Sequence, residues 1–427
     1  MFTLGRRAFL KAGLAATTLA ALDVHAQSLP FPAAGRVVIV GAGFAGATCA
    51  RYLRLWSGGK VQVTLVERRP ALISCPLSNL VLAGTQAIDR LTLSYDALSD
   101  RWGVRLIRDE VTDFDIERRL VRLAGGEQLP YDRLVLAPGI DFLWEELPAL
   151  AESAAREHIL HAWKAGPQTL SLRRQLLAMP DGGLFVLTIP KVPYRCPPGP
   201  YERACLVADY FKRHKPRSKV IILDANDDVV SKKALFVKAW QELYPGLIEY
   251  RPGSELKDVD LRERAAVLDF DRQRADVLNV IPPQRAGSIA SRAGIKLLNQ
   301  RWAEVDWLSM AATGAPGVHV IGDAVFPAPT MPKSAHMANQ HGKLAAAAIL
   351  RGLAGEPPGA LPMLTNTCYS FVDPEHAIHV SSVHRYDAAS RTLQPVPGAG
   401  GVSSVRNEAE GKFAWAWARN IWADTLL

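Results

Sequence analysis

The sequence predicts an α/β chain made of two parallel-sheet units and a smaller C-terminal segment. Two observations predict it. Short β-branched runs at 37–40, 61–66, 182–189 and 219–224 are each followed by a turn and then a helical stretch, not by a hairpin, which is the rhythm of parallel strands. The 427 residues are 48% hydrophobic and 22% charged, an ordinary globular balance that excludes disorder, collagen-like repeats and coiled coil. That length calls for two or three domains, each with a sizeable core.

Residues 5–11 read Gly-Arg-Arg-Ala-Phe-Leu-Lys, followed by an Ala/Leu/Thr run to Leu22 and a Val24-His25-Ala26 end. Paired arginines before a short apolar stretch predict a twin-arginine export signal over 1–26, with the bacterial periplasm as destination. The stretch is too short to cross a bilayer core, which needs ~20 apolar residues, and no transmembrane segment is expected elsewhere. The net charge of +8 is spread along the chain, without a basic run interleaved with aromatics. Nucleic acid is therefore not an expected partner.

The first sheet unit opens at 36–55. A strand enters Gly41-x-Gly43-x-x-Gly46, a helix follows, and the second strand ends in Glu67. Together these form a dinucleotide-binding fingerprint: Gly41 for the tight turn, Gly43 for close approach of a pyrophosphate, Gly46 for helix–strand packing. The helix start favours the negative charge, and Glu67 is placed to accept hydrogen bonds from the adenosine ribose. Arg68 and Arg69 beside it weaken the case against a 2′-phosphate.

Two later features assign the dinucleotide. Residues 131–139 form a strand ending in Ala137-Pro138-Gly139, and 318–323 form a short strand ending in Gly322-Asp323. Both resemble the signature of the glutathione reductase superfamily, in which the Asp of the Gly-Asp pair binds the ribityl chain of FAD. The resemblance implies a discontinuous FAD-binding domain over 36–150 and 285–355, and a second nucleotide-fold domain over 151–284. Where that second domain needs a glycine loop, 190–202 reads Pro-Lys-Val-Pro-Tyr-Arg-Cys-Pro-Pro-Gly-Pro-Tyr-Glu. Proline donates no N–H and fixes φ, so this loop is not expected to wrap an NAD pyrophosphate. The Ala-rich helix after Pro332 can aim its dipole at the flavin, and 356–427 is expected to be a C-terminal interface domain.

Several stretches are specific: 161–166, Arg195-Cys-Pro-Pro-Gly-Pro-Tyr-Glu-Arg203, 281–287, Met331-Pro-Lys-Ser334 and Asn366-Thr-Cys-Tyr-Ser370. In these the chain resembles the flavoprotein subunit of flavocytochrome c sulfide dehydrogenase and its relatives in thiosulfate-oxidising systems. The resemblance implies a redox-active disulfide between Cys196 and Cys368, with Cys368 the flavin-proximal thiolate. It implies FAD attached through Cys75, Lys333 beside the cofactor, Glu202 as an acid/base, and a c-type cytochrome subunit as electron acceptor. Glu202 also reads simply as a helix-start carboxylate facing the dipole.

Cys49 and Cys205 read as core residues, with a Cys196–Cys205 bridge the competing pairing. The ten His show no metal-ligand spacing, and no CxxCH is present, so neither metal nor haem is expected on this chain. The expected activity is FAD-dependent sulfide:cytochrome c oxidation to sulfur or polysulfide. The alternatives are a quinone-linked sulfide oxidase, docking through the tail around Trp415, Trp417 and Trp422, and an accessory flavoprotein that reactivates thiols of a sulfur-carrier protein.

Overall fold

A computed structural model describes residues 34–359 and 361–427. The expected export signal at 1–26 lies outside the described residues. The first sheet forms from β1 (Gly35–Val40), β2 (Val61–Val66), β3 (Arg105–Ile107) and β4 (Arg133–Leu136). It is completed from far along the chain by β9 (Val318–Val320), giving the order β9-β4-β1-β2-β3 with every pairing parallel. Val38, Ile39, Leu65, Leu134, Val135 and Val320 are buried, as a sheet covered on both faces requires. Each such side chain contributes about 1.5–3 kcal/mol.

Helix α1 (Phe44–Trp56) follows β1, and α5 (Ala335–Leu353) packs across it. The close crossing depends on Gly342, where a Cβ would stand 2.5 Å from the Ala45 carbonyl oxygen.

The second sheet contains β5 (Leu184–Ile189), β6 (Lys219–Asp224), β7 (Ile248–Arg251) and β8 (Val277–Val280) in the order β7-β6-β5-β8, again all parallel. Strands β5 and β6 are joined through α3 (Gly199–His214), whose apolar face is buried, and α4 (Lys233–Leu243) leads from β6 to β7. In both sheets the chain reverses its winding beside the first strand. Open α/β sheets place their ligand crevices at that switch point, outside the carboxyl ends of the strands.

The C-terminal segment holds an antiparallel sheet that the sequence reading did not anticipate. Strands β10 (Met363–Phe371), β11 (Ala377–Asp387) and β12 (Thr392–Pro395) pair in order, and β13 (Gly401–Val402) adds to β11. Helix α6 (Glu408–Leu426) then runs back onto the first domain. Asp424 anchors it there, taking hydrogen bonds from Tyr52 at 2.5 Å and Asn339 at 2.8 Å and an ion pair from Lys343 at 2.6 Å. No helix of the described residues is long and apolar enough to cross a membrane.

Candidate active site

The β1–α1 turn has the geometry of a phosphate cradle. A Cβ on Gly46 would sit 1.9 Å from the Gly41 carbonyl oxygen, so only glycine lets helix and turn touch. A Cβ on Gly43 would meet nothing within 4 Å, which leaves open space in front of the helix start. Glu67, buried at the end of β2, accepts from Ala42 N at 2.9 Å and from Arg69 N at 2.9 Å and Nε at 3.2 Å. Burial pushes its carboxyl up, but Arg69 and the two backbone N–H groups overcome that and hold it below the usual range. Arg69 is committed to Glu67, and the exposed Arg68 faces Glu110 at 3.8 Å, so neither arginine is arranged around a 2′-phosphate.

The Ala137-Pro138-Gly139 turn follows β4. Gly139 has φ +65° with open space beside it, and its carbonyl accepts from Gly287 N at 2.9 Å. Gly322 and Asp323 follow β9 and line a small cavity with Lys333 and His341. Burial pushes the Asp323 carboxyl up, opposed by Arg195 and Lys333. Buried His341 takes a hydrogen bond from Gly322 N at 3.3 Å, and its Nε2 has no protein partner. Open space at Gly43 and Gly139 and an orphaned buried nitrogen on His341 fit a bound dinucleotide. Lys333 is less available than its position suggests. Its ammonium donates to the Asp323 and Val325 carbonyls at 2.9 and 2.5 Å and lies 3.7 Å from the Trp302 ring centre, and burial pulls it down to about 7.

Cys196 lies in the loop after β5, at the switch point of the second sheet. Its φ is +59°, an unfavourable value for a residue with a Cβ. Two backbone bonds hold it there: Cys196 N donates to the Lys333 carbonyl at 2.8 Å, and Gly199 N to the Cys196 carbonyl at 2.9 Å. Two other loop donors are also spent, Val192 N on Asn226 Oδ1 at 3.1 Å and Arg195 N on Gln284 Oε1 at 2.9 Å. Asp224, the acidic end of β6, is occupied by the hydroxyls of Tyr201 at 2.6 Å and Tyr250 at 3.1 Å.

Cys368 comes from β10, docked on the start of α5. Ser334 caps α5 by accepting from Met337 N at 3.0 Å and donates to Asn366 Oδ1 at 2.6 Å. His336 Nδ1 accepts from Thr367 N at 3.0 Å, and the Asn366 amide lies 3.5 Å from Cys368 Sγ. Both cysteines are half-buried free thiols, so the bridge implied by the resemblance stands here as a dithiol. They are near enough that charge on Cys368 raises Cys196, after burial, which dominates. Cys205 is buried in α3, and Cys49 in α1.

Glu202 does stand in the first turn of α3, but its carboxylate turns away from a mere helix-start role. It accepts from Phe371 N, three residues past Cys368, at 2.8 Å and from Asn79 Nδ2 at 2.8 Å. Burial pushes it above the usual carboxylate range, only partly opposed by those two donors and by Lys232 and Arg203. Asn79 ties the site together, donating also to the Gly199 carbonyl at 3.2 Å and accepting from Arg203 Nε at 3.1 Å. It heads α2 (Ser78–Ala83), directly after the Cys75 turn. Cys75 is half-buried within electrostatic reach of Arg69 and Arg203, and Ser74 beside it accepts from Trp422 Nε1 of α6 at 2.9 Å.

Asn79 and Lys232 are site residues that the sequence reading did not single out, and Trp422, expected in a docking tail, reaches the Cys75 turn instead. Asn79 was within reach, four residues after Cys75; nothing local marks Lys232.

The geometry agrees with comparison to known proteins. Residues 169–282 match the family model "Sulfide dehydrogenase [flavocytochrome c] flavoprotein chain, central". Residues 360–426 match "Flavocytochrome c sulphide dehydrogenase, flavin-binding", and 35–163 match "Pyridine nucleotide-disulphide oxidoreductase". A stretch of 46 residues, 11% of this chain, is 52% identical to the flavoprotein chain of sulfide dehydrogenase (flavocytochrome c) from Chlorobaculum thiosulfatiphilum and covers 94% of that sequence. The chain belongs to the flavocytochrome c sulfide dehydrogenase flavoprotein family.

Among wider relatives of this flavoprotein, the mitochondrial sulfide:quinone oxidoreductase of Mus musculus is 24% identical over 326 residues, 72% of this chain and 69% of that one. The solved sulfide:quinone oxidoreductase of Aquifex aeolicus superposes with a TM-score of 0.74 at 15% identity, over 92% of each chain. The flavoprotein is thus a flavin-binding oxidoreductase of a sulfide-oxidising family with both cytochrome-linked and quinone-linked members.

Proposed function

We propose that the chain oxidises sulfide at the Cys196–Cys368 pair and delivers the electrons through FAD to a c-type cytochrome, in the periplasm reached by twin-arginine export. The observation that carries this reading is the convergence of two cysteines and a buried carboxylate on the start of α5, beside a dinucleotide cradle, while the second crevice carries a proline-rich loop in place of a glycine turn. Gly41, Gly43, Gly46 and Glu67 would hold the adenine half of FAD, and Gly139, Gly322 and Asp323 the flavin half. When bound, FAD supplies a two-electron acceptor that can pass electrons on singly.

The protein's own residues perform the sulfur chemistry. With the pair oxidised, hydrosulfide attacks Cys196 Sγ, the S–S bond breaks, and a persulfide forms on Cys196 as Cys368 leaves as thiolate. Over a full cycle hydrosulfide loses one proton and two electrons and leaves as zero-valent sulfur. Glu202 is placed to take the proton, its raised pKa bringing it closer to neutral working pH.

Quinone-linked relatives support a second electron route, for which α6 is the candidate docking element. Its Trp415, Trp417 and Trp422 are half-buried in a cluster with Leu206 and Phe371, which leaves little of them for a lipid surface. The test is anaerobic titration of the purified flavoprotein with sulfide. Sulfide should bleach the flavin, NADH should not, and cytochrome c should restore the colour. A flavin untouched by sulfide overturns the reading; reoxidation by quinone alone, with liposome binding, moves the electron route to the membrane.

A further inference from the structure

We propose that Lys232 is a positioning residue for the thiol pair: its buried ammonium, tethered to the strand that carries Cys368, makes Cys368 rather than Cys196 the more readily ionised thiol. The inference rests on the dithiol reading above and assigns its charge. Lys232 precedes α4 with φ +54° and is 8% exposed. Its Nζ donates to the Cys368 carbonyl at 3.1 Å, to Ser370 Oγ at 2.8 Å and to the Ile378 carbonyl at 3.4 Å. All three are uncharged oxygens on β10 and β11. Among the described residues no carboxylate lies within ion-pair distance of it.

A buried ammonium held only by neutral acceptors is costly unless an anion stands near. The ionisable groups facing Lys232 are Cys368, Glu202, Cys196 and Glu410, and burial brings its own pKa down to about 8. Around Cys368, burial comes first and raises the thiol, with Glu202 adding to it, and Lys232 and the Asn366 side chain work against them. Around Cys196, burial, Cys368 and Glu202 oppose the thiolate, and Arg195 and Lys232 favour it. Arg203 lies within electrostatic reach of Cys196, with its guanidinium engaged by Asn79, Asn279 and the carbonyls of His161 and Ala162. Of the two, only Cys368 has its own strand tethered to the cation and a side-chain amide 3.5 Å from its sulfur. The α5 start adds its dipole on the same side.

The test is alkylation of the reduced holoprotein by iodoacetamide as a function of pH, with each cysteine followed by peptide mass spectrometry. In the wild type Cys368 should react about tenfold faster than Cys196 at neutral pH. Lys232→Gln, which keeps a donor but loses the charge, should slow Cys368 about tenfold at that pH and leave Cys196 within about twofold, whereas Lys232→Arg keeps the preference. Equal or reversed wild-type reactivity overturns the proposal without any variant. So does a folded Lys232→Gln protein whose Cys368 profile is unchanged. Sulfide titration of the same samples reports on the proposed function separately: a wild type that fails to bleach while its thiols keep the tenfold preference sinks that function and leaves the role of Lys232 standing.

Discussion

Gly199→Ala isolates the position of one sulfur atom. A Cβ at 199 would stand 2.8 Å from Cys196 Sγ and 2.8 Å from Trp163 Cη2. Comfortable contact is near 3.5–4.0 Å, so something must give by about 1 Å. Trp163 cannot yield cheaply, because its Nε1 holds the Arg195 carbonyl at 3.2 Å. The Cys196 backbone is fixed by its bond to Lys333 and by its left-handed φ. The sulfur is therefore what moves. Overpacking costs about 1–3 kcal/mol, and the extra methyl at a helix start returns about 0.5–1 kcal/mol. The protein should stay folded with Tm lowered by only a few degrees. A 1 Å misplacement of a reacting atom costs on the order of 100-fold in rate. Stopped-flow bleaching by sulfide should fall by that factor at unchanged flavin content. Gly43→Ala, whose Cβ meets open space, should instead lower flavin content. Bleaching of a flavin-replete Gly199→Ala protein within about twofold of wild type would refute the link between this sulfur's position and the chemistry.

Two further outcomes are expected. Glu202→Gln should slow sulfide-dependent bleaching by about 100-fold or more. A base must be ionised to act, and burial raises this carboxyl, so the wild-type rate should fall as pH drops through a midpoint above the ordinary carboxylate value; the variant should lose that acidic limb in a pH–rate profile. Acid precipitation of the wild type should leave the yellow colour in the pellet, and Cys75→Ala should release it to the supernatant; colour released from the wild type rules out attachment through Cys75.

What could be read from the sequence was what local physics writes into it. The strands at 61–66 and 219–224 were legible to the residue, because Val- and Ile-rich stretches bounded by turns and ending at an acidic residue mark them. The paired thiols were legible only through motifs, since no periodicity joins loop 190–202 to β10. The antiparallel sheet was missed although Leu364, Asn366, Ser370 and Ile378 mark its buried positions, because Thr, Ser and His between them dilute the alternation. Lys232 was illegible for a stronger reason. A Lys-Lys pair before an amphipathic helix is ordinarily solvated, and only β10 and β11, over a hundred residues later, bury one of the two.

That pattern also explains how a nucleotide fold comes to carry thiol chemistry. The switch point of the second sheet is where a ligand would sit, and the loop there must satisfy its own donors once no pyrophosphate does so. Prolines remove several donors, Asn226 and Gln284 take two more, and the Lys333 carbonyl takes the one from Cys196. This last bond ties the second domain's crevice to the segment leading into α5, which already borders the first domain's cradle. The loop that occupies this crevice therefore also carries Cys196 to the segment leading into α5. Restoring glycines to the loop would free donors for a phosphate only by releasing the restraints that hold Cys196 in its left-handed conformation, so the two functions compete for one set of backbone N–H groups.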